Sequence, residues 1–175
     1  TVSPLRQRMI DDGEAPADVK RVERAKLEAL LGVCETAGCR RQALLSHFGE
    51  TLAEACGNCD GCLEPVETWD GTVAAQKVLS AVYRTGQMFG AMHIVDVLRG
   101  QRNDMVGKHR HDALPTFGVG AEHSPGFWRG VIRQLIALGA LRTDSGKYAS
   151  LALVPETARA ILRGETVVSL RADEP

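Results

Sequence analysis

The spacing Cys39-x16-Cys56-x2-Cys59-x2-Cys62 constrains this chain more than any other feature. Zinc takes four tetrahedral ligands, with each thiolate sulfur about 2.3 Å from the ion. Gly57, Asn58, Asp60 and Gly61 tolerate the left-handed backbone that a tight metal loop needs. Cys39 stands at the start of an expected helix over 39–48 and offers the fourth sulfur from a rigid element. Four sulfurs without a histidine or carboxylate leave no open position, so the pattern reads as structural, not catalytic. An iron–sulfur cluster is the rival reading, because C-x2-C-x2-C also occurs in ferredoxins. There the fourth cysteine follows closely and a proline comes after it, whereas nothing of that kind follows Cys62. Cys34 lies on the apolar side of the preceding expected helix and reads as a buried, inert thiol.

Crowded thiols in a chain without a secretion signal favour metal over disulfides, which points to the cytoplasm. No apolar run approaches the roughly 20 residues that span a bilayer, so no membrane role is expected. The first residue is Thr1, not Met, as expected for a segment of a longer chain. With net charge −1, composition alone gives no argument for nucleic acid, and any basic surface must come from local clustering.

The hydrophobic pattern divides the chain into a helical metal-binding subdomain (1–66), a second domain (67–165) and a tail (166–175) expected to fray. In the first, a short helix precedes Asp11-Asp12-Gly13, and a longer one follows Pro16, ending before Gly38. Residues 51–62 lose periodicity and read as loop, and Glu64-Pro65-Val66-Glu67 reads as the linker. The second part shows helices over 72–84 and 91–99, with room for a shorter one in the polar stretch 101–111. The glycine-rich loop Phe117-Gly118-Val119-Gly120 follows. Ser124 as N-cap, Pro125 at the first position and Gly139 as stop frame the strongest helix. Short strands flank Ser145-Gly146, and a last helix runs from Pro155 to Gly164. Three helices, a hairpin and a helix make the winged-helix plan, so the fold class is mainly α with a small β-hairpin wing.

Arg129 and Arg133 lie four apart on the strongest helix, one step from its apolar stripe, where a winged helix meets DNA. The helix start at Ser124 adds N–H groups suited to phosphate. Lys108, Arg110 and His123 lie in loops leading to it, and Lys147 and Tyr148 near the hairpin tip suit a phosphate and a base. For both arginines the plain alternative is a solvated face or a salt bridge to Glu122 or Asp112.

These stretches resemble the C-terminal part of RecQ-family DNA helicases, the bacterial branch most closely. The resemblance rests on Arg21-Val22-Glu23-Arg24 with Lys26-Leu27-Glu28, Cys39-Arg40-Arg41 with Phe48-Gly49-Glu50, and the cysteine loop 56–62. Val97-Leu98-Arg99-Gly100, His111-Asp112 and Ile132-Arg133-Gln134-Leu135-Ile136 continue it, with Asp70-Gly71 and Leu162-Arg163-Gly164-Glu165. It implies a zinc-binding and winged-helix (RQC) region that serves an ATP- and magnesium-dependent motor unwinding DNA in the 3′→5′ direction. No G-x4-G-K-[ST] pattern is present, so this segment is expected to have no catalytic residues and no activity of its own. The resemblance assigns one structural zinc to the four cysteines, DNA contact to the helix opening at Ser124 with Arg129, and the wing to Ser145–Tyr148. It also implies a monomer working at the nucleoid in repair and recombination. Arg84 and Arg163 match positions where relatives dock the acidic tail of single-strand-binding protein. A free-standing, dimeric winged-helix transcription regulator and a protein-docking platform remain the alternatives at this point.

Overall fold

The structure is a computed structural model that describes residues 2–144 and 149–172, with side chains from Leu5 onward. Ser145, Gly146, Lys147 and Tyr148, the expected hairpin tip, lie outside the described residues.

The first part is a helical hairpin followed by the cysteine loop. Helix α1 (Val2–Asp12) and helix α2 (Ala17–Glu35) are tied by the Arg24–Asp11 ion pair, and the Asp11 carbonyl accepts Lys20 Nζ at 2.7 Å. The Pro16 carbonyl accepts the Lys20 N–H at 3.0 Å, which starts α2 just after the proline. Helix α3 (Arg40–His47) has Cys39 as its N-cap. Residues 60–62 were expected to be loop, but with Leu63 they form the single turn α4 (Asp60–Leu63). Its cause is local: the Cys59 carbonyl accepts both the Cys62 and the Leu63 N–H at 2.9 Å.

Helices α5 (Thr72–Arg84), α6 (Ala91–Arg99), α7 (Asp104–Lys108), α8 (Pro125–Ala137) and α9 (Pro155–Leu162) build the second part. Each apolar stripe meets one core: Val78, Leu79 and Val82 from α5, Ile94, Val95 and Leu98 from α6, Trp128, Ile132 and Leu135 from α8. Strands β2 (Leu141–Thr143) and β3 (Leu151–Leu153) pair antiparallel as the base of the wing, Leu141 opposite Leu153. The Leu151 N–H reaches the Phe89 carbonyl and the Leu153 N–H reaches Gln87 Oε1, both at 2.9 Å, so the α5–α6 turn carries the wing.

The glycine-rich loop 117–120 is a packing device. The Gly118 and Gly120 N–H groups bond the Val97 and Leu98 carbonyls, and the Gly120 carbonyl accepts Trp128 Nε1 at 2.8 Å.

The tail differs from expectation. Strand β4 (Ser169–Arg171) pairs antiparallel with β1 (Thr68–Asp70), which neither periodicity nor length had suggested. Leu170 is fully buried and Val168 nearly so, and the Val168 N–H bonds Thr72 Oγ1 at 2.9 Å. Residues 166–172 therefore close the second domain instead of fraying. Three-residue strands with one inward side chain apiece, Leu170 buried and Trp69 partly so, leave too short a pattern for sequence reading to find.

Candidate metal centre and nucleic-acid interface

The four cysteines meet as their spacing requires. Cys39 is buried, Cys56, Cys59 and Cys62 are half-buried, and their four sulfurs all lie within 4.8 Å of one another. A tetrahedral ion with sulfurs about 2.3 Å away needs sulfur–sulfur edges of about 3.8 Å. The Cys59–Cys62 and Cys56–Cys62 separations, 3.4 and 4.0 Å, bracket that edge. The donor set is all thiol, and the ligands fit one structural zinc ion.

Backbone N–H groups favour the thiolate form at two of these positions, Cys39 and Cys59. The Cys56 N–H donates to Cys39 Sγ at 3.3 Å and, as the main cause, pulls that thiol down to about 6. The Arg40 backbone N–H lowers Cys59 in the same way, while the hydrogen bond shared with Cys59 pushes Cys62 up to about 11. Gly57 takes the left-handed conformation (φ 67°), and a Cβ at Gly61 would stand 2.7 Å from the Gly38 carbonyl oxygen. Arg40 Nε holds both oxygens of Asp60 at 2.6 and 2.8 Å, which keeps the Asp60 carboxyl below its ordinary range. Cys34 is exposed and stands apart from the group, against the expectation of a buried thiol. Its carbonyl is held by Arg40 and Arg171, but its side chain points to solvent near the end of α2.

The expected DNA-contact residues separate into two sets. Ser124 caps α8, accepting the Phe127 N–H at 3.1 Å, and is exposed, as are Gly126 and Arg129. Lys108, expected in a loop, is the last residue of α7, and Arg110 lies just beyond that helix; both are exposed. His123 stacks on Phe127 with ring centroids 3.9 Å apart and is partly exposed. Arg133 is elsewhere: its Nε and Nη2 grip Glu35 of α2 at 2.6 and 2.8 Å, and its side chain is only 18% exposed. Glu28 adds a contact at 3.6 Å. These partners come from α2 of the first subdomain, which packs on α8. A long-range contact across 98 positions leaves no trace in local spacing. Lys147 and Tyr148 lie outside the described residues.

Arg84 and Arg163 are both exposed, each after an exposed apolar residue, Tyr83 and Leu162. Gln76 Nε2 holds the Ile161 carbonyl at 2.9 Å, so the end of α9 sits near the middle of α5. Arg84 lies about 12 Å further along that helix.

One cluster had no sequence signal beyond its histidines. His93 Nε2 and His111 Nδ1 lie 2.7 Å apart, and Phe89 stacks on His93 with centroids at 4.2 Å. This anchors the loop that carries Lys108 and Arg110. Burial, and then His111, push His93 down to about 4, and burial also lowers His111. The fold thus prefers both rings neutral, while unfolded histidine takes its proton near 6.5. Stability is fully present above pH 6.5 and is lost as pH falls from there towards about 4. The melting temperature is expected to drop through that window, and His93→Phe to flatten the drop; an equal drop in the variant removes the pair as its cause.

Comparison with known proteins agrees with both halves. The family model described as RQC domain matches residues 65–175, and that described as RecQ zinc-binding matches residues 4–63. The ATP-dependent DNA helicase RecQ of Pasteurella multocida is 39% identical over 166 residues, 95% of this chain and 26% of the relative. The protein of the same name from Haemophilus influenzae matches to the same extent, and that of Bacillus subtilis is 29% identical over 93% of this chain and 27% of its own length. The chain thus spans about a quarter of the length of these relatives. Since the RQC model covers more than half of the residues and the zinc-binding model covers the part where the four sulfurs converge, the chain belongs to the RQC domain family and carries a RecQ zinc-binding module ahead of that domain.

Proposed function

We propose that this chain is the DNA-binding accessory region of a RecQ-type, ATP-driven 3′→5′ DNA helicase, gripping duplex beside the fork in repair and recombination. The observation that carries the reading is the exposed start of α8. Ser124, Gly126 and Arg129 face solvent there, while the remainder of the helix is packed into the core or against α2. A helix start with its cap and one free-facing arginine suits phosphate more than base edges, so binding is sequence-tolerant. Lys108 and Arg110 add charge from the neighbouring loop. The motor chemistry, with ATP and magnesium, belongs to the remaining length of the relatives; the names of those relatives support that assignment. The zinc supplies a fixed structural node, and the chain's own part is to hold α2 and α3 at a set angle around it.

A winged-helix regulator that reads a palindrome lays its recognition helix along the major groove. With α2 packed on α8 through Arg133, that face is covered, which favours the accessory reading over the regulator. The same reading makes the chain a monomer at the bacterial nucleoid, with Arg84 and Arg163 receiving the acidic tail of single-strand-binding protein. Among the described residues, no helix is long and apolar enough to cross a membrane.

Arg129→Ala tests the DNA surface. Duplex affinity, followed by fluorescence titration with forked and blunt substrates, is expected to fall several-fold and the salt slope by about 1, with no change in melting temperature. Unchanged affinity removes Arg129 from the interface.

A further inference from the structure

Arg133 was the second arginine of the expected DNA face, yet its chemistry lies with the zinc module. Its guanidinium makes a two-pronged contact to Glu35, the last residue of α2, and a third contact to Glu28 one helical stretch earlier. The helices come close at this point because of Gly32: a Cβ there would stand 3.4 Å from the Arg133 carbonyl oxygen and 3.9 Å from Ala137 Cβ. The end of α2 is held a second time from the winged helix, as Arg171 Nη1 reaches the Cys34 carbonyl at 3.4 Å.

The same end of α2 is tied to the cysteine loop. Arg40 Nη1 donates to the Val33 and Cys34 carbonyls at 2.7 Å each, while its Nε grips Asp60, between Cys59 and Cys62. One arginine thus bonds both the metal loop and the last turn of α2, and the next residue, Glu35, bonds α8. The Arg133 side chain is 18% exposed and that of Glu35 28%, so neither is a freely solvated surface group.

We propose that the Glu35–Arg133 pair is the joint through which the zinc module positions the winged helix, with Arg40 linking the metal loop to that joint. Arg133 is thus a positioning residue, and the order of the cysteine loop and the order of α8 are linked. The proposal does not depend on DNA binding and stands or falls apart from it.

Hydrogen–deuterium exchange on the zinc-loaded chain, before and after stripping the ion with a chelator, reads this directly. In the unsubstituted chain, stripping is expected to speed exchange over residues 131–137 of α8 roughly tenfold, the coupling typical of directly contacting groups. Arg133→Met keeps the aliphatic stem and removes the charge; exchange there is expected to be fast already with zinc bound, and stripping to add little. Glu35→Gln should behave like Arg133→Met from the other side of the contact. Arg133→Lys, which keeps the charge, should retain much of the response. Exchange in α8 that ignores zinc in the unsubstituted chain overturns the proposal. So does a zinc response that survives intact in Arg133→Met and Glu35→Gln, which assigns the coupling to apolar packing. A lysine variant indistinguishable from the methionine variant also overturns it.

Discussion

Cys59→Ser is expected to leave the chain without zinc and with residues 36–64 unfolded, while residues 67–172 keep their own cooperative transition. The reason is the thinness of the first core. Among the described residues before the linker, the buried apolar side chains are Ile10, Cys39 and Ala43, against twenty in the cluster of the second domain. Helix α3 has 8 residues and α4 has 4, lengths that do not hold a helix alone in water. A structural zinc supplies about 10–16 kcal/mol in small modules of this kind, and that free energy is folding free energy. Serine offers no thiolate, so three ligands remain and the loop opens. Far-UV circular dichroism should show a partial loss of helix, and chelation of the unsubstituted chain should reproduce it. A variant that melts like the unsubstituted chain and retains one zinc contradicts the assignment.

Trp128→Ala is expected to cost about 4 kcal/mol, the usual range for emptying a large aromatic site. The indole is completely buried, packs edge-on against Phe127 with centroids 5.1 Å apart, and donates to the Gly120 carbonyl at 2.8 Å. Removing it leaves a cavity and takes one of two donors from the Gly120 carbonyl, which also accepts the His123 N–H at 3.3 Å. Gly120→Ala attacks the same contact from the other side. A Cβ there would stand 2.2 Å from Trp128 Cζ2, so the ring or the loop must move. Folded domains are stable by about 5–15 kcal/mol in total, so a loss of this size removes a large share of the winged helix's stability. Chemical denaturation of the second transition measures this, and a loss below about 1 kcal/mol contradicts the packing described. Because Trp128 sits one residue before Arg129, both variants should also lose duplex binding.

Much of this was legible from local chemistry. The cap at Ser124, the proline at the first position of α8 and the stop at Gly139 act within one helical turn, and the structure places α8 where they indicate. The cysteine spacing is equally local at Cys56–Cys62, and Cys39 needed only a helix start to present it. What stayed hidden depends on partners far along the chain. The strand at Ser169–Arg171 exists because Thr68–Asp70 lies beside it, about a hundred residues earlier in the sequence. Arg133 shares a helical face with Arg129, and spacing alone treats them alike; only the arrival of α2 separates a solvent-facing cation from an interdomain one. The Gly118-Val119-Gly120 stretch read only as a glycine-rich loop, whereas its small residues let the Trp128 ring and the end of α6 approach the backbone.

The pairing of a zinc-held platform with a backbone-gripping winged helix is tested most directly by duplex affinity as a function of salt. With Arg129, Lys108 and Arg110 as the phosphate contacts, log K is expected to fall linearly with log salt at a slope of about −3. The zinc-loaded chain should bind forked and blunt duplexes of unrelated sequence with that same slope. No measurable binding at low salt, or a slope near zero, contradicts the account.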